Sequence, residues 1–330
     1  CSTPSAKAKL AEEGFSTSAD EIERRLSLMN EMRSLLMLER DFPDGDYPDP
    51  APLVAKIRVE GSYLLAAEAD QLRKALVTVG AIAEFILGRG GAHYPRLWEL
   101  SRRVTLFPEI VRAIDAILDD RGEVKDSASP ELQQVRRAIR EREGQAAKRL
   151  QQVLQRAKQA GIVDADAVLS VRDGRPVIPV AAANKRKLQG FIHDESATGR
   201  TFYVEPVEVV EINNELKELE YAERREVVKV LSAFTESIRL DAEAIADAGD
   251  YLSSVDMIRA KARWALANDA GKPILSTDDR LELRTARHPL LQQTLRAQGR
   301  EVVPLDLALD RRKHILVISG PNAGGKSVCL

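Results

Sequence analysis

The chain has 330 residues, of which 44% are hydrophobic, 30% charged and only 5% aromatic, and its formal net charge is −2. That length admits two or three domains with cores of their own, and the shortage of aromatics favours long, solvent-facing helices over compact sandwiches. The near-neutral balance excludes a global basic field, so any contact with nucleic acid has to come from a local patch. Cys1 and Cys329, the two cysteines, stand at opposite ends and suit a reduced, cytosolic protein. No run of 18 apolar residues occurs, and the N-terminus lacks the charged-then-apolar layout of a secretion signal. Position 1 is not methionine and Leu330 falls inside a motif, so both ends read as internal to a longer protein.

Residues 18–40 predict an amphipathic helix. Ser18 and Glu21 form a capping-box pattern, and Ile22, Leu26, Met29, Met32, Leu35 and Leu36 recur at helical spacing. The proline- and aspartate-rich stretch from Asp41 to Pro52 is a loop. A second helix fits 65–87, ended by Gly88-Arg89-Gly90-Gly91. Shorter ones fit 95–118, with Leu97, Leu100, Val104 and Ile110 as core candidates. Asp126-Ser127-Ala128-Ser129-Pro130 is a helix start signal.

From Glu131 to Ala160 no proline interrupts. Leu132, Val135, Ile139, Ala146, Leu150, Val153 and Ala157 form one narrow apolar seam along a helix of about 45 Å, which Gly161 stops. The period then changes to β. Val168–Val171, Pro176–Val180, Gly190–His193 and Thr201–Val204 are short strands, separated by the turn signals Asp173-Gly174 and Thr198-Gly199.

A second long helix fits 207–248, with Val209, Ile212, Leu216, Leu219, Val227, Leu231, Phe234 and Ile238 along one stripe. The first long helix carries eight basic and three acidic residues, and the second five basic and eleven acidic. Opposite balances suit antiparallel neighbours, although each exposed pair contributes only tenths of a kcal/mol. The expected arrangement is a hairpin of two long helices with a small β module at its tip. Further helix follows from Tyr251 to Leu266, then β pattern at Leu281–Leu283 and Val302–Leu307.

The most specific signal comes last. Gly320-Pro321-Asn322-Ala323-Gly324-Gly325-Lys326-Ser327 fits the phosphate-binding loop G-x-x-x-x-G-K-[ST] at every position. The apolar run His314–Ser319 before it is expected to be a buried strand. Glycines let successive N–H groups converge on a phosphate. Lys326 supplies a mobile charge for the β- and γ-phosphates of ATP, and Ser327 a hydroxyl for Mg²⁺. The following helix N-terminus adds a favourable dipole.

Gly320-Pro321-Asn322-Ala323-Gly324-Gly325-Lys326-Ser327 closely resembles the G-P-N-x-G-G-K-[ST] loop of the MutS superfamily of DNA-surveying ATPases. Arg287-His288-Pro289 resembles the R-H-P that precedes that loop. Gly190–Gly199, Val204-Glu205-Pro206, Asn213–Leu216, Arg58–Leu64 and Asp126–Leu132 are similar to the second bacterial branch, the anti-recombination form that usually ends in a Smr nuclease domain. The resemblance covers essentially the whole chain. It implies a mostly α fold: a helical core over 1–130, a lever rising through 131–160, a β-rich clamp over 161–206, a lever returning through 207–268, and the first strands of an α/β ATPase domain from 269. It also implies a homodimer with composite ATP sites. ATP state opens and closes the clamps around branched or duplex nucleic acid, suppressing recombination and, in some bacteria, acting on collided ribosomes. No acidic strand end for a metal-bound water follows the loop, so this stretch alone is expected to be inactive.

Lys185-Arg186-Lys187 is the one tight basic cluster of the β module, with Arg200 nearby in sequence. These four residues are the nucleic-acid candidates, holding phosphates without reading bases. A solvated turn is the competing reading, because the module balances at six basic and six acidic residues. His193, Asp194 and Glu195 lack a second histidine or cysteine at ligand spacing and read as a structural turn. His288 reads as a packed loop histidine, with packing beside an adenine as the alternative. The alternative for the whole chain is a non-enzymatic helical scaffold with an incomplete nucleotide loop.

Overall fold

In the computed structural model, which describes residues 1–172 and 174–320, the long apolar periods of the sequence have become helices. The first, α1 (Pro4–Glu12), has no counterpart among the predicted elements; Thr3 caps it by accepting the Ala6 N–H. Helix α2 runs Ala19–Leu38, and its capping box forms only by half. The Ser18 hydroxyl accepts the Glu21 N–H, but the Glu21 carboxylate turns to Arg24 and Arg25 instead of the cap backbone. The buried seam of α2 is Leu28, Met32 and Leu35, so Leu26 and Met29 lie at its margin. Helices α3 (Ala51–Ile57), α4 (Ala66–Gly88), α5 (Pro95–Ser101) and α6 (Pro108–Ile117) follow. Among the described residues no helix is long and apolar enough to cross a membrane.

The described residues gather into two compact units. One comprises Cys1–Val54, Lys74–Phe107 and the described residues from Glu243 onward. Its core joins Met32 and Leu35 of α2 to Val79, Ile82 and Ile86 of α4, Leu97 of α5, and Leu252 and Val255 of α9 (Ala242–Ala267). Inside it, Arg259 is only 2% exposed. Its guanidinium donates to Asp256 at 2.9 Å, to the Gly45 carbonyl at 2.7 Å and to Asp44 at 3.2 Å, and lies 3.7 Å over the Tyr47 ring. Asp256 also accepts the backbone N–H groups of Ser2 and Thr3, at 2.8 and 2.9 Å. A buried charge is stable only when paired and hydrogen-bonded in this way.

The other unit comprises Ala55–Arg73 and Pro108–Ala242. It is built on α7 (Pro130–Gln159) and α8 (Val207–Ser237). Ser129 caps α7 by accepting the Leu132 N–H, and Pro130 occupies its first position. Gly161, at φ +63°, ends it in the left-handed region. The two helices pack antiparallel. Arg136 pairs with Glu223 and Arg142 with Glu215, each at 2.7 Å, so ascending numbers on one helix meet descending numbers on the other. The opposite charge balances read from the sequence therefore meet across this seam.

The second long helix is shorter than expected. It stops at Ser237, a 3₁₀ turn occupies Arg239–Asp241, and α9 begins at Ala242 rather than after Gly249. The Ser237 hydroxyl donates to the Phe234 carbonyl at 2.6 Å, and the Arg239 guanidinium turns aside to the Val59 and Ser62 carbonyls. The Ser237 bond competes for a carbonyl that the helix would otherwise use. Gly249 stays helical within α9, and a Cβ there would stand 2.8 Å from Cγ of Pro50.

Four short strands form an antiparallel sheet in the order β1-β2-β4-β3: β1 (Ser170–Arg172), β2 (Arg175–Ala181), β3 (Gly190–Glu195) and β4 (Thr201–Pro206). Asp173, expected at the β1–β2 turn, lies outside the described residues. One sheet face packs Ile178, Val180 and Val204 against Leu150, Val153, Leu154 and Ala157 at the end of α7 and Val209 at the start of α8. The sheet thus sits at one end of the helix pair. A bulge between Ile192 and Asp194 leaves β3 irregular, and β3 is the outer strand on that side.

In the first unit, β5 (Leu281–Ala286) and β6 (Leu305–Leu309) form an antiparallel ladder, with α10 (Pro289–Ala297) between them in sequence. The expected strand His314–Ser319 is not one. The run is almost wholly exposed and lies outside any strand. An apolar central strand gains its bonds and cover from neighbouring strands and helices, and none pairs with this run among the described residues.

Candidate functional site

The sheet turns a basic corner outward. After β2 ends at Ala181, a 3₁₀ turn over Ala182–Asn184 carries the chain into Lys185, Arg186 and Lys187, all exposed. Asn184 fastens this turn to the end of α7, its side-chain amide donating to the Ile162 carbonyl at 3.0 Å. The Ala182 N–H donates to the Arg200 carbonyl at 2.9 Å, continuing the β2–β4 ladder from Ala181 opposite Thr201. Arg200 therefore stands at the same end of the sheet as the basic loop, although thirteen or more positions separate them in sequence. Among the described residues none of these four cations has a carboxylate partner. Lys185 lies 4.4 Å over the Phe202 ring, a contact of about 0.5–1 kcal/mol at an exposed site.

Two other arginines of the module are withheld from that corner. Arg172 donates to Asp194 at 2.8 Å and stacks 3.9 Å over Tyr203. Arg175 grips Glu205 with two bonds of 2.9 Å and reaches Asn214 at 3.1 Å.

Glu205 is the centre of a network that sequence spacing could not disclose. It is 1% exposed and also meets Nε2 of His193 at 2.6 Å and the side-chain amide of Asn213 at 2.6 Å. Burial by itself pushes this carboxyl up; the bonds from Asn213, His193 and Arg175 outweigh it and hold the group below the ordinary carboxylate range. His193 is thus a strand residue on a buried carboxylate, not part of a turn. The network ties β3 and β4 to the first turns of α8.

Of the phosphate loop, Gly320 is described, with φ +152° and open space where a Cβ would project. Pro321, Asn322, Ala323, Gly324, Gly325, Lys326 and Ser327 lie outside the described residues. His288 is exposed and caps α10, its Nδ1 accepting the Leu291 N–H at 3.3 Å, so it is not a packed loop histidine. Among the described residues no group of His, Cys, Asp and Glu could hold a metal ion.

No family model matches the chain. Over 307 residues it is 34% identical to Endonuclease MutS2 of Pelotomaculum thermopropionicum, covering 93% of this chain and 38% of that protein. Over 237 residues it is 36% identical to Endonuclease MutS2 of Geobacillus sp. (strain WCH70), covering 72% of this chain and 29% of that protein. Over 316 residues it is 32% identical to Endonuclease MutS2 of Bacillus velezensis, covering 95% and 39%. The chain spans less than half the length of these curated relatives.

Proposed function

Because the chain belongs to the second bacterial branch of the MutS superfamily, we propose that it is the core, lever and clamp portion of a homodimeric ATPase whose clamps close on branched or duplex nucleic acid. The α7–α8 pair is the lever in this reading, and the four-stranded sheet at its end is the clamp. The observation that carries it is the exposed corner of Lys185, Arg186, Lys187 and Arg200, free of carboxylate partners among the described residues and mounted on the sheet. Such a corner attracts phosphates without distinguishing bases.

Gly320 to Ser327 form the nucleotide site in this reading. ATP, when bound with Mg²⁺, supplies the γ-phosphate whose presence or loss distinguishes two states of the protein. Lys326 neutralises phosphate oxygens and Ser327 offers a hydroxyl to the metal. Suppression of recombination, action on stalled ribosomes and any nuclease step are assigned to the parent protein, the nuclease to parts of it outside these residues.

Two experiments test this. Reversing Lys185, Arg186, Lys187 and Arg200 to Glu should weaken duplex and branched DNA binding alike. The slope of log affinity against log salt should become shallower by about 0.9 for each phosphate that is no longer neutralised. An unchanged slope would move the contact elsewhere. Lys326→Ala in the full-length protein should abolish ATP turnover with its circular dichroism unchanged; turnover at the parent rate discards the nucleotide site.

A further inference from the structure

Helix α8 carries two stripes, and α7 and the sheet cover only one. Val207, Val210, Glu211, Asn214, Glu215 and Glu218 recur at intervals of three and four, so they share a face. Together with Phe191 of β3 they line a groove of about 460 Å³. Its upper end is apolar and open to solvent, with Phe191 59% and Val207 46% exposed. Its lower end is acidic. Glu215 shares Arg142 at 2.7 Å, whereas Glu211 and Glu218 have no cation partner among the described residues. Beside the groove runs β3, whose far edge pairs with no strand among the described residues.

We propose that this groove docks an extended, basic protein segment that carries an apolar anchor. From Val207 to Glu218 the helix advances about 16 Å, the reach of about five residues of extended chain. An extended segment presents alternate side chains to one side, so an anchor against Phe191, Val207 and Val210 would place the next Lys or Arg residues over Glu211, Glu215 and Glu218. Charge decides between occupants. With Glu215 offset by Arg142 and Arg175 held by Glu205, phosphates of nucleic acid or of a lipid surface would still lie within a Debye length of about 8 Å of the unpaired carboxylates Glu211 and Glu218 and be repelled. The apolar upper end excludes a merely ionic partner, because a solvated polycation gains nothing from Phe191 and two valines. The module then has a basic corner at the β2–β3 loop and the start of β4, and an acidic groove at the β3–α8 junction, each suited to a different class of partner.

The test uses the full chain with methyl-labelled valine and a fluorescent 15-residue peptide of alternating Lys and Leu. The expected result is saturable binding that shifts the Val207 and Val210 methyl signals. The double variant Glu211→Lys/Glu218→Lys should weaken binding about tenfold or more, or about 1.4 kcal/mol. Glu211→Gln/Glu218→Gln, which keeps shape and fold, should weaken it by less, and neither should lower affinity for duplex DNA. Several results overturn the proposal: no saturable binding, binding indifferent to both double variants, or a peptide of alternating Lys and Ser bound equally well. Duplex DNA shifting the same two methyls would give the groove to nucleic acid. A dimer of the free chain that Val210→Asp dissociates, with no peptide binding, would give it to a second copy.

Discussion

Two buried carboxylates are held as charges by their hydrogen-bond donors against the opposing pull of burial. Asp256 and Glu205 are each pushed up by desolvation and drawn below the ordinary range by their donors: backbone N–H groups and Arg259 for the first, and Asn213, His193 and Arg175 for the second. A carboxyl depressed in the folded state stabilises fully above its unfolded pKa of about 4 and loses that contribution as pH falls through the folded value. Glu205→Gln should therefore cost about 1–3 kcal/mol at pH 7, and the gap from the parent should shrink at pH 3. Urea unfolding at both pH values measures it, and an equal gap at each contradicts the account. Asp256→Ala should cost about 1–3 kcal/mol, since it removes the closest carboxylate of Arg259 and leaves Asp44 as the other, and should release the first residues to rapid amide exchange; protected amides at Ser2 and Thr3 would refute the anchor. At this scale the sequence was partly legible. The basic loop was found because its residues are adjacent, but the partners of Glu205 lie 8 to 30 positions away and follow no repeat.

Elements were legible where one period persisted. Helices α2, α4 and α7 and all four clamp strands lie close to their predicted spans, since hydrophobic spacing, caps and stops act within a few residues. The break at Ile238 was not, because no proline or glycine marks it between Phe234 and Ala242. Gly249, which lies inside α9, is a packing residue. Propensity alone predicts that Gly249→Ala would stabilise α9 by about 1 kcal/mol. The 2.8 Å approach to the stiff Pro50 ring predicts the reverse, a loss of about 1–3 kcal/mol by thermal unfolding. The middle of α7 should also be its weakest part. No residue between Leu132 and Ala146 is buried, so amides there should exchange faster than those near Leu150 and Val153. Uniform protection along α7 would be the contrary result.

At the scale of the whole molecule the chain folds as two units made from interleaved stretches. Trp98 and Trp264, the two tryptophans, both belong to the first. Their fluorescence should follow that unit alone, while circular dichroism sums both. We expect the two signals to part company in urea, and superimposable transitions would mean one cooperative block. Short-range spacing was enough for the long helices and the strands of the four-stranded sheet, the charge match of the two long helices and the phosphate-loop motif, because each of these is written within a few neighbouring positions; the class of the fold came from the family resemblance, and α1, α3 and α10 left no period to read. Only the packed molecule shows that residues 55–73 join 108–242, that β3 lies at the edge, and that α8 keeps a second face uncovered. Those outcomes rest on which distant surfaces bury one another, and no local period records that choice.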